Sequence, residues 1–268
     1  MKSIPKSTLN TLAIASFITI LLFTSCNKNE EPEQEIDLTN CDCGCDEKFG
    51  SFIDGRDGHE YKTIQIGEQT WMAENLAYLP EVFPLSDSYT KDANTVKSPR
   101  FFVYNYYGTN VKKAKSTNEY KVYGVYYTVW AAIKSCPSGW HLPSNDEWNQ
   151  LESYLIHNDY CYSGDTVGNG IGKALAATCV WLESDYKGDV GFDLTSNNSS
   201  CFSALPAGEC STGYSFHFDE HWAKWWTDTS EDGKPSWYLA RELDYSKGFL
   251  SVDGERGYDG YSVRCVKD

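Results

Sequence analysis

Ten cysteines constrain this chain more than any other feature, because each disulfide fixes two distant segments against each other. All ten follow a short leader, in which Lys2 and Lys6 precede an apolar run that ends at Phe23. The run is too short to span a bilayer and has the length of a signal-peptide core, so residues 1–25 are predicted to be removed on export. Export places the cysteines in an oxidising compartment, where disulfides form and persist.

The leader ends in "LFTSC", which resembles the lipobox of bacterial lipoproteins, with Cys26 as the acylated residue. The following "NKNEEPEQE" resembles the surface-export signal of Bacteroidetes lipoproteins. We therefore expect an outer-membrane lipoprotein that faces the cell exterior and contacts the membrane only through lipid, such as palmitate, on Cys26. The alternative for the leader is an ordinary secretory signal, and the alternative for the acidic stretch is a solvated linker. If Cys26 is acylated, nine thiols remain, so at least one lacks an intrachain partner.

The chain is strongly acidic, with 23 Lys and Arg against 38 Asp and Glu and a net charge of −15. Removal of the leader takes away two lysines and no acid, which leaves about −17. Nucleic acid and anionic lipid headgroups would be repelled, and neither is expected as a partner. The negative charge is compatible with divalent cations and neutral glycans as partners.

Residues 26–49 are polar and acidic and are predicted to form a flexible tether, followed by one domain at residues 50–268. The tether contains "CDCGC", with Cys41, Cys43 and Cys45. A thiolate metal cluster is one interpretation, but no histidine or CxxC partner stands at zinc-site spacing. Disulfides to the domain or to another chain are the preferred alternative.

The domain begins with a hairpin signal at 61–76, where strands alternate around Ile64 and Ile66 and turn at Gly67. Residues 80–120 lack a clear period and are predicted to be a loop with an irregular hairpin. "YTVWAAIKSC" predicts a short helix with Trp130 and Ile133 facing inward.

A second helix is predicted after the capping box formed by Ser144 and Glu147, with Trp148, Leu151 and Leu155 on its buried face. A third short helix is predicted at 171–177. The remaining sequence reads as short strands separated by glycine and aspartate turns, an antiparallel meander. The fold class is therefore α+β, with two to three short helices and an antiparallel sheet of short strands.

Five blocks of the sequence, spread over residues 54–268, look like the Fibrobacter succinogenes major paralogous domain. They are "DGHEYKTIQIGEQTWMAENLAY", "YYTVWAAIKSCPSGWHLPSNDEWNQLESYL", "CFSALPAGE", "WWTDTS" and "YSVRCVKD". The order of helix, short strand and "LPS" before a second helix is also remotely similar to the C-type-lectin-like fold, on its formylglycine-generating-enzyme branch. That resemblance implies pairing of the N- and C-terminal strands and long ligand-carrying loops in the second half.

The same resemblance implies a disulfide from Cys136 to Cys265. Cys201 and Cys210 flank a predicted hairpin, so they are a candidate pair. Cys161 and Cys179 flank the third helix and are another candidate pair.

The predicted function is non-catalytic binding of a glycan or another surface macromolecule. Ring faces for stacking on sugars come from seven aromatic residues in the second half of the chain, which are Trp222, Trp225, Trp226, Trp237, Tyr238, Tyr258 and Tyr261. Core packing is the alternative role for each. Adjacent residues of a strand point to opposite faces, so at least one of Trp225 and Trp226 is expected to be structural.

No cofactor is expected except, as one option, structural calcium. "DGERGYDG" supplies Asp253, Glu255 and Asp259 in a glycine-rich loop. "ESDYKGDVGFD" supplies a second acidic loop with Asp185, Asp189 and Asp193. Neither spacing is that of an EF-hand, and solvated carboxylates are the alternative.

Two other functional classes remain open. An oxidase of the formylglycine-generating type needs two closely spaced cysteines, but the sequence around Cys201 and Cys210 does not match that pattern, so we do not expect an enzyme. A structural or assembly component of a surface complex, with a surface protein as its partner, is the other alternative.

Overall fold

A computed structural model describes residues 41, 44–84, 97–162, 170–211, 215–217 and 220–268. These residues all belong to the compact unit Glu35–Asp268. The predicted leader, Cys26, Cys43 and most of the predicted tether lie outside the described residues.

Twelve strands and five α-helices are formed by the described residues. The strands are β1 (Gly50–Ile53), β2 (Glu60–Ile66), β3 (Gln69–Met72), β4 (Phe101–Phe102), β5 (Tyr126–Tyr127), β6 (Trp140–His141), β7 (Glu209–Cys210), β8 (Phe216–His217), β9 (Trp222–Ser230), β10 (Trp237–Asp244), β11 (Ser251–Arg256) and β12 (Val266–Lys267). The helices are α1 (Val111–Ala114), α2 (Asn118–Tyr123), α3 (Val129–Ser135), α4 (Asn145–His157) and α5 (Gly172–Leu175). None of these described helices has the length and apolar character needed to cross a membrane.

The largest sheet has five antiparallel strands in the order β1-β2-β3-β12-β6. Its β2–β3 hairpin confirms the sequence prediction, since Ile66 faces Gln69 across a two-residue turn. Gly67 adopts a positive φ of 61° in that turn, a conformation that glycine tolerates best. The last strand lies between β3 and β6, so the C-terminal end of the domain is hydrogen-bonded to its first hairpin.

A second sheet has the order β11-β10-β9 and is the predicted antiparallel meander. Two small antiparallel pairs, β4–β5 and β7–β8, accompany it. The architecture is mixed α+β, with short helices around several antiparallel sheets.

Two hydrophobic clusters lie on opposite sides of β9. Trp225 and Trp226 are both fully buried, and Trp225 packs with Trp148, whereas Trp226 packs with Tyr261 in the other cluster. The indole N–H of Trp226 donates to the carbonyl of Tyr127 at 2.7 Å. Trp225, Trp226 and Tyr261 therefore have the alternative role of core packing, and β9 buries a tryptophan on each of its faces.

Helix α4 follows the prediction closely. Ser144 and Glu147 form the capping box, and Trp148, Leu151 and Leu155 are fully buried. The hydrophobic stripe at helical spacing thus places the helix against the core.

Helix α3 exists as predicted but presents another face. Its buried residues include Val129, Ala131 and Ala132, whereas Ile133 is 44% exposed and Trp130 is half-buried. The small side chains of Ala131 and Ala132 let this face of the helix pack closely against the core. The larger side chains of Trp130 and Ile133 lie on its more exposed faces.

The passage predicted as a loop contains helices α1 and α2, which corrects that prediction. Asn110 Oδ1 accepts a hydrogen bond from the Lys113 amide at 3.0 Å, and Thr117 Oγ1 accepts one from the Tyr120 amide at 3.2 Å. These N-caps were readable in the sequence, but each helix is too short to show a hydrophobic period. Residues 85–96 of this passage lie outside the described residues.

Three disulfides join cysteines of the described residues. Cys136 is bonded to Cys265, as the resemblance implied. The other pairs are Cys41–Cys179 and Cys45–Cys201, so the candidate pairs Cys201–Cys210 and Cys161–Cys179 are wrong.

The candidate pairs joined cysteines that are close in sequence. The bonded cysteines are instead separated by 138 and 156 positions, and only the tertiary fold brings such distant segments together. Cys210 keeps a buried free thiol, whose pKa is raised by burial. Because Cys41 and Cys45 are bonded to the domain, the domain begins before residue 50.

Candidate functional site: a cleft beside the N-terminal disulfides

A surface cavity of about 390 Å³ lies where the N-terminal disulfide segment meets the rest of the domain. We call it the cleft. Its lining residues come from segments far apart in sequence, and they are Cys41, Asp46, Phe49, Lys62, Ala73, Glu74, Asn75, Val122, Ala177, Asn198, Ser203, Leu205 and Arg264. A volume of this size lies within the range of roughly 300–1,000 Å³ that is usual for small-molecule sites.

One wall of the cleft is the segment that contains Cys41 and Phe49. Two disulfides hold this wall, and Asp46–Lys48 form a single 3-10 turn between Cys45 and Phe49. The turn is closed by a hydrogen bond from the Lys48 amide to the Cys45 carbonyl at 2.8 Å. Covalent cross-links, together with the packing of Cys45 and Phe49 in a hydrophobic cluster, thus give this wall a fixed position.

A second wall is the loop from Asn198 to Ser203. Asn198, Cys201 and Ser203 all have positive φ, a region that residues with a Cβ seldom occupy. Asn198 Nδ2 donates to Ser203 Oγ at 2.9 Å, and the Ser203 amide donates to Asn198 Oδ1 at 2.8 Å. The bond between Cys201 and Cys45 ties this loop to the first wall, so the two walls form one cross-linked unit.

Arg264 lies at the base of the cleft with only 1% of its surface exposed. Its Nη1 donates to the carbonyl of Phe202. Its Nη2 makes longer bonds, to Asn75 Oδ1 at 3.3 Å and to the Ser203 carbonyl at 3.5 Å. Nε is buried without a hydrogen-bond partner.

Burial lowers the pKa of Arg264 to about 9, and the charge of Glu74 opposes this effect only in part. The guanidinium is therefore still charged at neutral pH. It also lies over the Phe202 ring, with Cζ 4.2 Å from the ring centroid. All of its hydrogen-bond acceptors are neutral, so its positive charge is not matched by a bonded carboxylate.

Asn75 fixes the position of Arg264. Its Nδ2 donates to the Tyr123 carbonyl at 3.1 Å, and its Oδ1 accepts a bond from Trp225 Nε1 at 2.9 Å as well as that of Arg264. A buried amide with these partners cannot rotate without breaking several bonds.

The mouth of the cleft is formed by charged and aromatic side chains. Glu74 Oε1 accepts a hydrogen bond from the Lys62 amide at 2.6 Å. Lys62 Nζ lies 3.6 Å from Asp46 Oδ1 and 5.0 Å from the Phe49 ring centroid. Glu74 also lies beside His59 and raises the pKa of that imidazole.

A second depression, of about 550 Å³, shares Phe49, Lys62 and Glu74 with the cleft. The two depressions therefore adjoin each other across these three side chains. A binding region of this form suits a ligand with more than one ring or residue.

The other predicted aromatic residues lie elsewhere. Trp222, Trp237, Tyr238 and Tyr258 are half-buried, and none of them lines the cleft. Trp237 is already close to two cations, since Lys234 Nζ lies 5.0 Å from its ring centroid and Arg256 Cζ lies 5.7 Å away.

The aromatic ring at the cleft is instead Phe49. Sequence reasoning missed it because it stands at the end of an acidic segment that reads as a tether. Its adjacency to the "CDCGC" cysteines was the available signal.

The predicted calcium residues are not brought together. The described residues contain no group of three or more His, Cys, Asp and Glu side chains arranged to hold a metal ion. Asp253 is exposed, Asp259 is buried, and Glu255 lies 3.3 Å from Lys224 Nζ.

Lysine ammonium groups lie at both acidic regions that the sequence singled out. Lys224 is within 4 Å of Glu209, Glu242 and Glu255, at 2.9, 3.3 and 3.3 Å. In the second region, Lys173 donates to the carbonyls of Asp189, Phe192 and Asp193. A lysine ammonium thus lies in each region where calcium was one of the two options considered.

The cysteine pair considered for oxidase chemistry is not available as two thiols. Cys201 is bonded to Cys45, and Cys210 is a buried thiol in β7.

Comparison with known proteins gives one result. No curated protein and no solved structure matches the chain. The model of the Fibrobacter succinogenes major domain matches residues 64–267, which is more than half of the chain, and the chain therefore belongs to this family.

Proposed function

We propose that this protein is a non-catalytic binding module for a glycan or another surface macromolecule, and that the cleft is its ligand site. The observation that carries the proposal is a preformed cavity whose two walls are cross-linked by the Cys45–Cys201 disulfide. A site fixed before binding loses little conformational entropy when its ligand arrives.

The chemistry of the lining supports this proposal. Asn198 and Ser203 provide amide and hydroxyl groups, Glu74 and Lys62 provide charged hydrogen-bonding groups at the mouth, and Phe49 provides a ring. Sugars present hydroxyl groups beside apolar C–H faces, so a binding site for them combines polar side chains with an aromatic surface.

The finer fold proposal is a C-type-lectin-like arrangement. Its support is the strand β12 between β3 and β6, together with the disulfide that joins the end of α3 to the segment before β12. The long second half, which carries ligand loops in that fold, supplies Asn198, Ser203 and Arg264 to the cleft.

The proposed location is the outer surface of the outer membrane, with lipid on Cys26. Metabolic labelling with palmitate tests this placement, because the label should enter the chain and should be lost in Cys26→Ala. Protease treatment of intact cells tests whether the domain faces the cell exterior. A protease that cannot enter the cells should digest a surface-exposed domain and leave an internal one intact.

A glycan and polysaccharide array tests the function directly. The mature chain, residues 26–268, should bind one class of glycan saturably, in calcium and in EDTA. Phe49→Ala should weaken this binding about tenfold or more, since it removes a stacking surface. Trp237→Ala is the matched control, because it removes an aromatic ring outside the cleft. A blank array in both buffers would overturn the glycan proposal and leave a structural role in a surface complex as the alternative.

A further inference from the structure

The cleft contains a buried positive charge that the protein itself does not neutralise by an ion pair. We infer that the ligand, if the proposed binding function holds, is a carboxylate-bearing sugar, such as a uronic acid, whose carboxylate is held by Arg264.

Among the buried cations of the described residues, Arg264 and Lys173 bond only to neutral oxygens, and of these two it is Arg264 that lines the cleft. Buried Lys224 has three carboxylates within 4 Å, and buried Arg241 lies 3.3 Å from Glu152. Arg264 bonds only to neutral oxygens and has a buried Nε with no acceptor. Holding an unpaired charge away from water is costly, so a carboxylate that reaches it gains much of the energy that an internal ion pair would supply.

The same side chain lines the cleft, so a ligand in the cavity can approach it. The bonds of Nη2 to Asn75 and Ser203 are long, at 3.3 and 3.5 Å, and a charged acceptor competes well with such bonds. The planar guanidinium also matches the two oxygens of a carboxylate in shape.

The charges around the cavity favour one negative charge over several. Lys62 and Arg264 face Asp46 and Glu74, so the lining is balanced, but Lys62 lies 3.6 Å from Asp46 while Arg264 has no bonded anion. A second anionic group would be repelled by Glu74 at the mouth and by the net charge of −15 that the chain carries. A highly charged polyanion is therefore disfavoured relative to a sugar with a single carboxylate.

The test compares two ligands that differ at one group. The mature chain is titrated with a tetrasaccharide that carries one glucuronic acid, and with the same tetrasaccharide after that carboxyl group is reduced to an alcohol. The carboxylate form should bind about 10- to 100-fold more tightly, which is the usual effect of a hydrogen bond to a charged group. A sulfated oligosaccharide of the same length serves as the second anionic probe and should bind more weakly than the uronate.

Variants locate the effect. Arg264→Met should reduce the preference for the uronate over its reduced form to less than threefold. Arg256→Met is the matched control, because it removes an exposed arginine near Trp237 and should leave the preference unchanged. If Arg264→Met does not fold, Arg264→Lys replaces it, because it keeps the charge but removes the planar guanidinium and should still reduce the preference, whereas an unchanged preference would contradict the inference.

The outcomes separate this inference from the proposed function. Equal binding of the uronate and its reduced form, or binding of neutral glycans alone, would overturn the inference while the binding function stands. A preference for the sulfated ligand would also overturn it. No binding of any glycan would remove this inference together with the glycan form of the proposed function.

Discussion

Two buried cations in this domain have opposite surroundings. Lys224 lies in β9 among three carboxylates. Burial alone would lower its pKa, but the carboxylates raise it well above its ordinary value. Arg264, which is also buried, has only neutral acceptors, and burial lowers its pKa to about 9. The comparison shows that this protein neutralises one buried charge internally and leaves another beside a cavity.

The difference separates a structural charge from a candidate binding charge. The Lys224 group connects β7, β9, β10 and β11, because Glu209, Glu242 and Glu255 lie on the three other strands. Its loss would leave three carboxylates close together. Loss of Arg264 leaves carbonyl groups without a donor but breaks no ion pair among the described residues.

The largest expected effect comes from Lys224→Met. The variant should lose about 3–5 kcal/mol of unfolding free energy, because removal of one partner leaves buried carboxylates unpaired. Urea unfolding at pH 7 measures this change. Lys247→Met removes a more exposed lysine beside Glu242 and Asp244 and should cost about 0–1 kcal/mol. Equal losses in both variants would contradict the structural role given to Lys224.

Removal of the Cys45–Cys201 disulfide should have the next largest effect. The double variant Cys45→Ser, Cys201→Ser should lose about 2–4 kcal/mol, since the unfolded chain is freed from a long covalent loop. Urea unfolding without reductant provides the measurement. The loop next to Cys201 also supplies the carbonyl groups that bond Arg264. The effects of this double variant and of Arg264→Met should therefore be non-additive by about 0.5 kcal/mol or more, whereas those of Lys247→Met should add.

Arg264→Met should cost about 1–3 kcal/mol, less than Lys224→Met, because the lost hydrogen bonds are those of neutral carbonyl and amide oxygens. The same urea titration measures both variants under one condition. If Arg264→Met were the more damaging of the two, Arg264 would be a structural charge and the comparison between the two cations would fail.

The smallest effect concerns a third cation, the exposed imidazole of His141. Burial alone would lower its pKa, but Asp268 and Glu147, each 2.7 Å from a ring nitrogen, raise the pKa above its ordinary value. A raised folded-state pKa gives stability that is complete below about pH 6.5 and is lost as the pH rises through the folded-state pKa.

The stability difference between the parent chain and His141→Gln should therefore shrink by about 0.5 kcal/mol between pH 6 and pH 9. The expected change in stability is small because water screens the charge of a side chain that is 40% exposed. Urea unfolding of both chains at the two pH values checks it. A difference that grows with pH would contradict the assigned direction of the pKa shift.

Local sequence signals predicted local structure well. Ser144 and Glu147 marked the start of α4, and the alternation around Ile64 and Ile66 marked the first hairpin, because each signal and its partners lie within a few residues. Helices α1 and α2 were missed since they are short and depend on single caps. The inward face of α3 was misjudged because the space available to its side chains is set by neighbours from elsewhere in the chain.

The cleft was not predictable in the same way. Phe49 belongs to a segment with the composition of a tether, and Arg264 sits in the last block of the sequence. Nothing in either local pattern indicates that the two residues line one cavity. The aromatic residues that composition favoured, such as Trp225 and Trp226, pack in the core instead.

The sequence by itself determined the α+β class, the first hairpin, the capped helix, the crowding of acidic side chains and, through resemblance, the family and the bond between Cys136 and Cys265. Only the tertiary structure decided which cysteines hold the N-terminal segment, which tryptophans are buried, and that lysines occupy the acidic clusters. The physical reason is that composition and periodicity act over a few residues, whereas disulfide pairing, burial and charge neutralisation depend on which distant segments meet.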